Sequence, residues 1–187
     1  ESHQEEDLLI SGSGAMYENR KRNGMSTPPV TGESSLKYFI DRLAAAKPAP
    51  YDEHILLVHN VCLKQDDIDA AKRVMNNGYW AVCPLSNIFI HNALPPSPLM
   101  RKNGLAITVG TDSLSSNDDL DMVKELVCIK QNFAEVPMNE ILVWACLNGA
   151  RFLSKEDTLG SIAPGKTPGI VFVSNVDEEG SFTADSR

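Results

Sequence analysis

Polar groups that could do chemistry stand just after short apolar runs. Asp112 follows Leu105-Ala106-Ile107-Thr108-Val109, inside the segment Gly110-Thr111-Asp112-Ser113-Leu114-Ser115-Ser116-Asn117. His59 follows His54-Ile55-Leu56-Leu57-Val58, and Ser86 and Asn87 follow Tyr79-Trp80-Ala81-Val82-Cys83. Loops at the C-terminal ends of parallel strands leave side chains open to substrate, so a carboxylate and an imidazole there can bind a metal or accept a proton from water. Plainer readings stand beside these. A histidine ending an apolar strand can be a satisfied structural group, and Asp112 could cap the segment beginning near Asp118, although Ser116 or Asn117 is better placed for that. Ser86, Asn87 and Asn117 can either tie loops to backbone groups or touch substrate.

The surrounding pattern supplies elements to position these groups. Leu36, Phe39, Ile40 and Leu43 recur at helical spacing after Ser34-Ser35, and Lys47-Pro48 closes that helix. Strands are predicted at 54–58, 79–83 and 105–109, with a helix over Asp66 to Asn76 between the first two. Continuous apolar runs separated by amphipathic helices imply a parallel sheet covered on both faces. Two helices follow: one from about Asp118 to Phe133, with acidic residues at its positive end, and one from Pro137 to about Leu153. Met138, Ile141, Leu142, Ala145, Gly149 and Phe152 form the inner face of the second, and Trp80 and Trp144 are expected in the core. Ser11-Gly12-Ser13-Gly14 and the stretch from Arg20 to Pro29 read as turns and a long loop, enclosing one short helix around Ala15 to Asn19. Beyond Leu153 a turn-rich stretch ends in the β-prone run Ile170-Val171-Phe172-Val173, which needs partners or leaves an exposed edge.

Composition narrows the classes. A net charge of -8 with no basic stripe gives nothing to attract a phosphate backbone or an anionic membrane, so neither nucleic acid nor membrane is expected as a partner. Cys62, Cys83, Cys128 and Cys146 are widely spaced without a Cys-x-x-Cys pair, which favours a reduced, cytoplasmic setting. Gly12-Ser13-Gly14 is a poor phosphate loop, since no buried strand precedes it and no Lys-Ser/Thr follows. His91, in a proline-rich stretch, is expected to be solvent-exposed, and His54 to lie on the face opposite the chemistry. At 187 residues the chain holds one substantial core but falls short of the roughly 250 residues of an eight-unit barrel.

Taken in order, His59, the Pro84-Leu85-Ser86-Asn87 segment, Gly110-Thr111-Asp112 with Ser116-Asn117, and the tail Leu159-Gly160-Ser161-Ile162-Ala163-Pro164-Gly165-Lys166 resemble the closing strands of the amidohydrolase superfamily, in its deaminase and chlorohydrolase branch. The resemblance implies an α/β fold: residues 1–157 as the C-terminal part of a TIM (β/α)8 barrel, and residues 158–187 as a β segment of a small composite domain. By the same resemblance Asp112 binds the catalytic metal and takes a proton from its water, and His59 orients that water. Glu1-Ser2 resembles the end of a His-x-x-Glu-Ser/Thr motif, which makes Glu1 the proton shuttle. The remaining metal ligands, including a His-x-His pair, are absent from the 187 residues, so the chain is expected to be a C-terminal portion whose partner is the N-terminal part of the barrel.

The expected activity is metal-dependent hydrolysis, with zinc or iron as the divalent ion and an amino-substituted heterocycle as the small-molecule substrate. Deamination leads, and attack on a C–Cl bond belongs to the same branch. The competing class is a non-catalytic α/β interaction module that self-associates through open sheet edges. Homo-oligomers are expected under either view, because unpaired strand edges and apolar faces are left exposed.

Overall fold

The computed structural model describes residues 2–46 and 49–187. Three strands, β1 (Tyr51–Val58), β2 (Met75–Val82) and β3 (Ala106–Val109), form one parallel sheet in the order β1-β2-β3. Helices α4 (Gln65–Val74), α5 (Pro84–His91) and α6 (Ser97–Lys102) lie in the connections between the strands. The predicted strands are thus all present. β2, however, begins at Met75, directly where α4 stops, so the expected helical turn over Met75-Asn76 is strand.

Register explains where the core sits. Leu57 pairs with Trp80 and Trp80 with Ile107, so these side chains project from one face of the sheet. That face meets Ile40 of α3 (Ser35–Ala46), Ile68 and Ala71 of α4, Met100 of α6 and Ile129 of α7 (Met122–Asn132). Trp80 is 2% exposed and Ile107 1%. The alternate row, Leu56 with Tyr79 and Ala106, then Val58 with Ala81 and Thr108, faces the other way. Val58 is exposed there and Leu56 half-buried, so the second face is not fully covered as the continuous apolar run had implied.

The last helical stretch is three segments end to end: α8 (Met138–Leu142), a π-helical segment (Val143–Asn148) and α9 (Gly149–Phe152). Met138, Ile141 and Trp144 are buried as the spacing predicts, but Leu142 is exposed. The wider π turn changes which positions face inward, and it brings Asn148 against the sheet, where its Nδ2 donates to the Ile107 carbonyl at 2.8 Å.

Two helices stand at the front, where only the short one around Ala15 to Asn19 was expected. α1 (His3–Ile10) starts with a capping box: the Ser2 hydroxyl accepts from the Glu5 N–H, and Glu5 Oε2 accepts from the Ser2 N–H. α2 (Gly14–Arg22) is longer than the one short helix expected and takes in Arg20, Lys21 and Arg22. Buried Glu6 docks α1 onto α3 by accepting from the N–H of Ser35 at 2.9 Å and from its hydroxyl at 2.6 Å. Ser34 caps α3 through the Lys37 N–H. In the tail, Ile170, Val171 and Phe172 are more than 80% exposed and belong to no strand, and the β contact described there is a single bridge between Val176 and Phe182. High β propensity without a partner strand does not make a strand.

Candidate active site

The site is assembled where the three strands end. After Val58 the chain turns sharply, with His59 and Asn60 both in the left-handed region at φ 72° and 61°. The His59 N–H donates to the Ala81 carbonyl at 2.9 Å, which keeps the residue on the sheet. Asn60, 1% exposed, holds the turn: its amide donates to the carbonyls of Leu57 at 2.9 Å and Ala81 at 3.1 Å. His59 is therefore fixed at its Cα by two strands rather than hung on a free loop.

After β2, Pro84 opens α5 at the position where its missing N–H costs nothing. The segment containing Ser86 and Asn87 is a helix, not the loop its composition implied, and both side chains are fully buried. They bond to side chains instead of backbone. The Ser86 hydroxyl donates to Asp112 Oδ2 at 2.7 Å, and Asn87 Nδ2 donates to His59 Nδ1 at 3.2 Å. With Nδ1 accepting, the neutral imidazole carries its proton on Nε2. Nε2 lies 3.9 Å from Asp112 Oδ2.

Asp112 is itself left-handed at φ 60°, a conformation tolerated best by Gly, Asn and Asp. Ser116, four residues on, donates its hydroxyl to the same Oδ2 at 2.8 Å. These two hydroxyls hold the Asp112 carboxyl below its ordinary value, more strongly than burial raises it. His59 is also lowered: burial outweighs the pull of Asp112 toward the charged form. The pair is thus an ionised carboxylate beside a neutral imidazole near pH 7.

Of the predicted residues, Asp112, His59, Ser86 and Asn87 come together in one network. Asn117 stands behind it, donating to the Thr111 carbonyl at 2.8 Å and to Glu125 Oε1 at 2.7 Å, and the cap of α7 is Asp121 rather than Asn117 or Ser116. Glu1 lies outside the described residues. Two groups, the Ser116 hydroxyl on Asp112 and the Glu125 carboxylate, escaped the sequence reading. Glu125 is a fully buried carboxylate on α7; its signal was a charge on the apolar stripe formed with Met122, Leu126 and Ile129. His91 ends α5 half-buried, and burial lowers it. Its exposed, loop-borne placement is therefore corrected. His54 remains away from this network, with its Nδ1 2.6 Å from the Phe152 carbonyl oxygen.

For a metal, this donor set is partial. Among the described residues no three His, Cys, Asp or Glu side chains converge on one point, whereas a zinc site takes three or four protein donors. Asp112 accepts hydrogen bonds from Ser86 and Ser116, as a ligating carboxylate commonly does from its neighbours, so it fits as one ligand of a site completed by other residues. The described residues alone do not close such a site.

The profile of the Amidohydrolase family matches residues 34–186. A 5-methylthioadenosine/S-adenosylhomocysteine deaminase from Teredinibacter turnerae is 29% identical over 159 residues, covering 78% of this chain and 34% of that protein. The crystal structure of Helicobacter pylori aminofutalosine deaminase in complex with methylthio-coformycin superposes with a TM-score of 0.65 at 26% identity, over 82% of this chain and 36% of the other. An adenosine deaminase from Xanthomonas campestris with bound zinc gives a TM-score of 0.61 at 25% identity, over 88% and 34%. The chain spans about a third of the length of these proteins.

Proposed function

Because the chain belongs to the amidohydrolase family, we propose that it supplies one side of the active site of a metal-dependent deaminase acting on an adenosine-type nucleoside. The observation that carries this reading is the convergence of Asp112, His59, Ser86 and Asn87 at the ends of three adjacent parallel strands. The deaminase names of the relatives support the nucleoside class. In this reading the sheet is part of a (β/α)8 barrel, its less covered face turned to the barrel axis. The other strands and metal ligands lie in polypeptide beyond these 187 residues, and residues 158–187 join a small β-domain.

Asp112 would be one ligand of a divalent ion, zinc by analogy with the Xanthomonas protein, and that ion would supply hydroxide near neutral pH. Asp112, kept ionised by Ser86 and Ser116, accepts the proton of the attacking water. His59, with its proton on Nε2, donates a hydrogen bond to the oxygen that attacks the ring carbon. Asn87 prevents the imidazole from turning. Glu1 protonates the ring nitrogen, the proton held by Asp112 passes to the amine, which leaves as ammonia as the C–N bond breaks, and the remaining hydroxyl proton returns to Glu1 as the carbonyl forms. The net change is water in, ammonia out.

The test uses the longest polypeptide that contains this sequence, loaded with zinc and given 5-methylthioadenosine or S-adenosylhomocysteine. Ammonia release that Asp112→Asn abolishes is expected. Failure of the zinc-loaded protein to deaminate either compound or adenosine overturns the assignment. A second reading, a self-associating module without catalysis, is favoured by the exposed Ile170-Val171-Phe172 run. It predicts association that persists after chelation, together with absence of turnover.

A further inference from the structure

Glu125 costs the fold something that ordinary helix packing would not. It is 0% exposed on α7, and burial pushes its carboxyl above the usual range despite two hydrogen bonds. A leucine would fill the stripe without that penalty, since replacing buried ionic groups with apolar ones is often neutral or stabilising. The two carboxylate oxygens face different segments. Oε2 accepts the Leu85 N–H at 2.9 Å, in the first turn of α5, and Oε1 accepts Asn117 Nδ2 at 2.7 Å. The same Asn117 amide nitrogen donates to the Thr111 carbonyl at 2.8 Å. Leu85 immediately precedes Ser86 and Asn87, and Thr111 immediately precedes Asp112.

We propose that Glu125 is a positioning residue: its carboxylate bridges the first turn of α5 and the loop bearing Asp112, setting how Ser86 meets Asp112 and how Asn87 meets His59. The inference rests on the reading of Asp112 and His59 as catalytic groups, but its geometry can be tested without turnover. Glu125 touches neither reacting group. It acts through Leu85 on one side and Asn117 on the other. A glutamine there keeps the shape and the acceptor for Asn117 but turns an N–H toward the Leu85 N–H, so that one of the two ties is broken.

The measurement is the ring-nitrogen resonances of His59, at fixed pH, in the longest polypeptide that contains this sequence. In the unaltered chain they should show the Nε2-protonated tautomer with Nδ1 as acceptor. Asn87→Ala removes the donor to Nδ1 and shifts that resonance. Glu125→Gln is expected to shift it in the same direction, whereas Asp121→Ala, which removes the cap of α7 and lowers stability from outside the network, should leave it in place. Unchanged His59 resonances in folded Glu125→Gln, or an equal shift in Asp121→Ala, overturn the proposal. If Glu125→Gln does not fold, hydrogen exchange of the Leu85 amide in the unaltered chain decides. Slow exchange is required, and exchange at the rate of a free amide sinks the idea. In the complete deaminase, Glu125→Gln should lower kcat by about tenfold with KM unchanged. If His59 shifts while kcat holds in both Glu125→Gln and Asp112→Asn, positioning stands and the catalytic reading falls.

Discussion

One histidine lies within β1 and another just past its end, and the two are handled differently. His54 sits in an aromatic cluster, its ring 5.2 Å from that of Tyr79, which in turn stacks edge-on with Phe152 at 5.5 Å. Its Nδ1 meets a backbone carbonyl, so that nitrogen carries the proton and the ring joins the strand to the end of α9. His59, five residues on, meets a side-chain amide donor on one nitrogen and a carboxylate on the other. The first arrangement satisfies a polar group inside a packing joint. The second leaves a donor pointed at an ionised acid, and it is built from left-handed backbone at His59 and Asp112 that a structural joint does not need. Residue type alone therefore says little about a histidine; what matters is the chemistry facing each ring nitrogen.

Substitutions at the two ends should separate these roles. The largest effect is expected for Asp112→Asn in the complete deaminase: turnover falls by about a thousandfold or more while the thermal transition stays cooperative. Retention of near-normal turnover breaks the comparison outright. Ser86→Ala removes one of the two hydroxyls on Oδ2 and should reduce activity by about 10- to 100-fold, read from steady-state kinetics. At the other end, Phe152→Ala should lower stability by about 2 kcal/mol in denaturant titration, with no shift of the His59 ring-nitrogen resonances. A shift there would mean that the two ends are coupled through the sheet.

The smallest effect is the pH dependence of stability. His59 is lowered from 6.5, so the folded state binds fewer protons than the unfolded state just below that pH. Stability is then present above 6.5 and is lost as pH falls through the folded value. Asp112, lowered from 3.8, has the same sign at more acid pH, whereas Glu125, raised from 4.5, has the opposite sign: its contribution is present below 4.5 and is lost as pH rises. His59→Gln should flatten the limb just below pH 6.5. An unaltered limb would assign it to another group.

Much of the fold was readable because apolar runs of strand length between amphipathic helices leave few alternatives. The strands around Ile55, Trp80 and Ile107 are of this kind. α5 was not readable, because Pro84-Leu85-Ser86-Asn87 has turn composition and because Phe89 and Ile90 are exposed apolar residues that blur its helical stripe. α1 carried a legible signal, the Ser2-His3-Gln4-Glu5 capping box, which the acidic composition of the segment obscured. Ile170-Val171-Phe172-Val173 shows the opposite: strong local preference, but no neighbouring strand among the described residues to complete its hydrogen bonds.

By itself the sequence determined that Asp112 and His59 would stand at strand exits, since the periodicity that buries a strand also fixes where it stops. Only the tertiary structure decided that Ser86 and Ser116 would share one oxygen of Asp112 and that Asn87 would choose the tautomer of His59. It alone placed the buried Glu125 carboxylate between their two supporting segments. The reason is physical: the contacts of Ser86 with Asp112, Asn87 with His59 and Leu85 with Glu125 join residues 26 to 40 positions apart, and their distances depend on sheet register and helix placement, which no local pattern encodes.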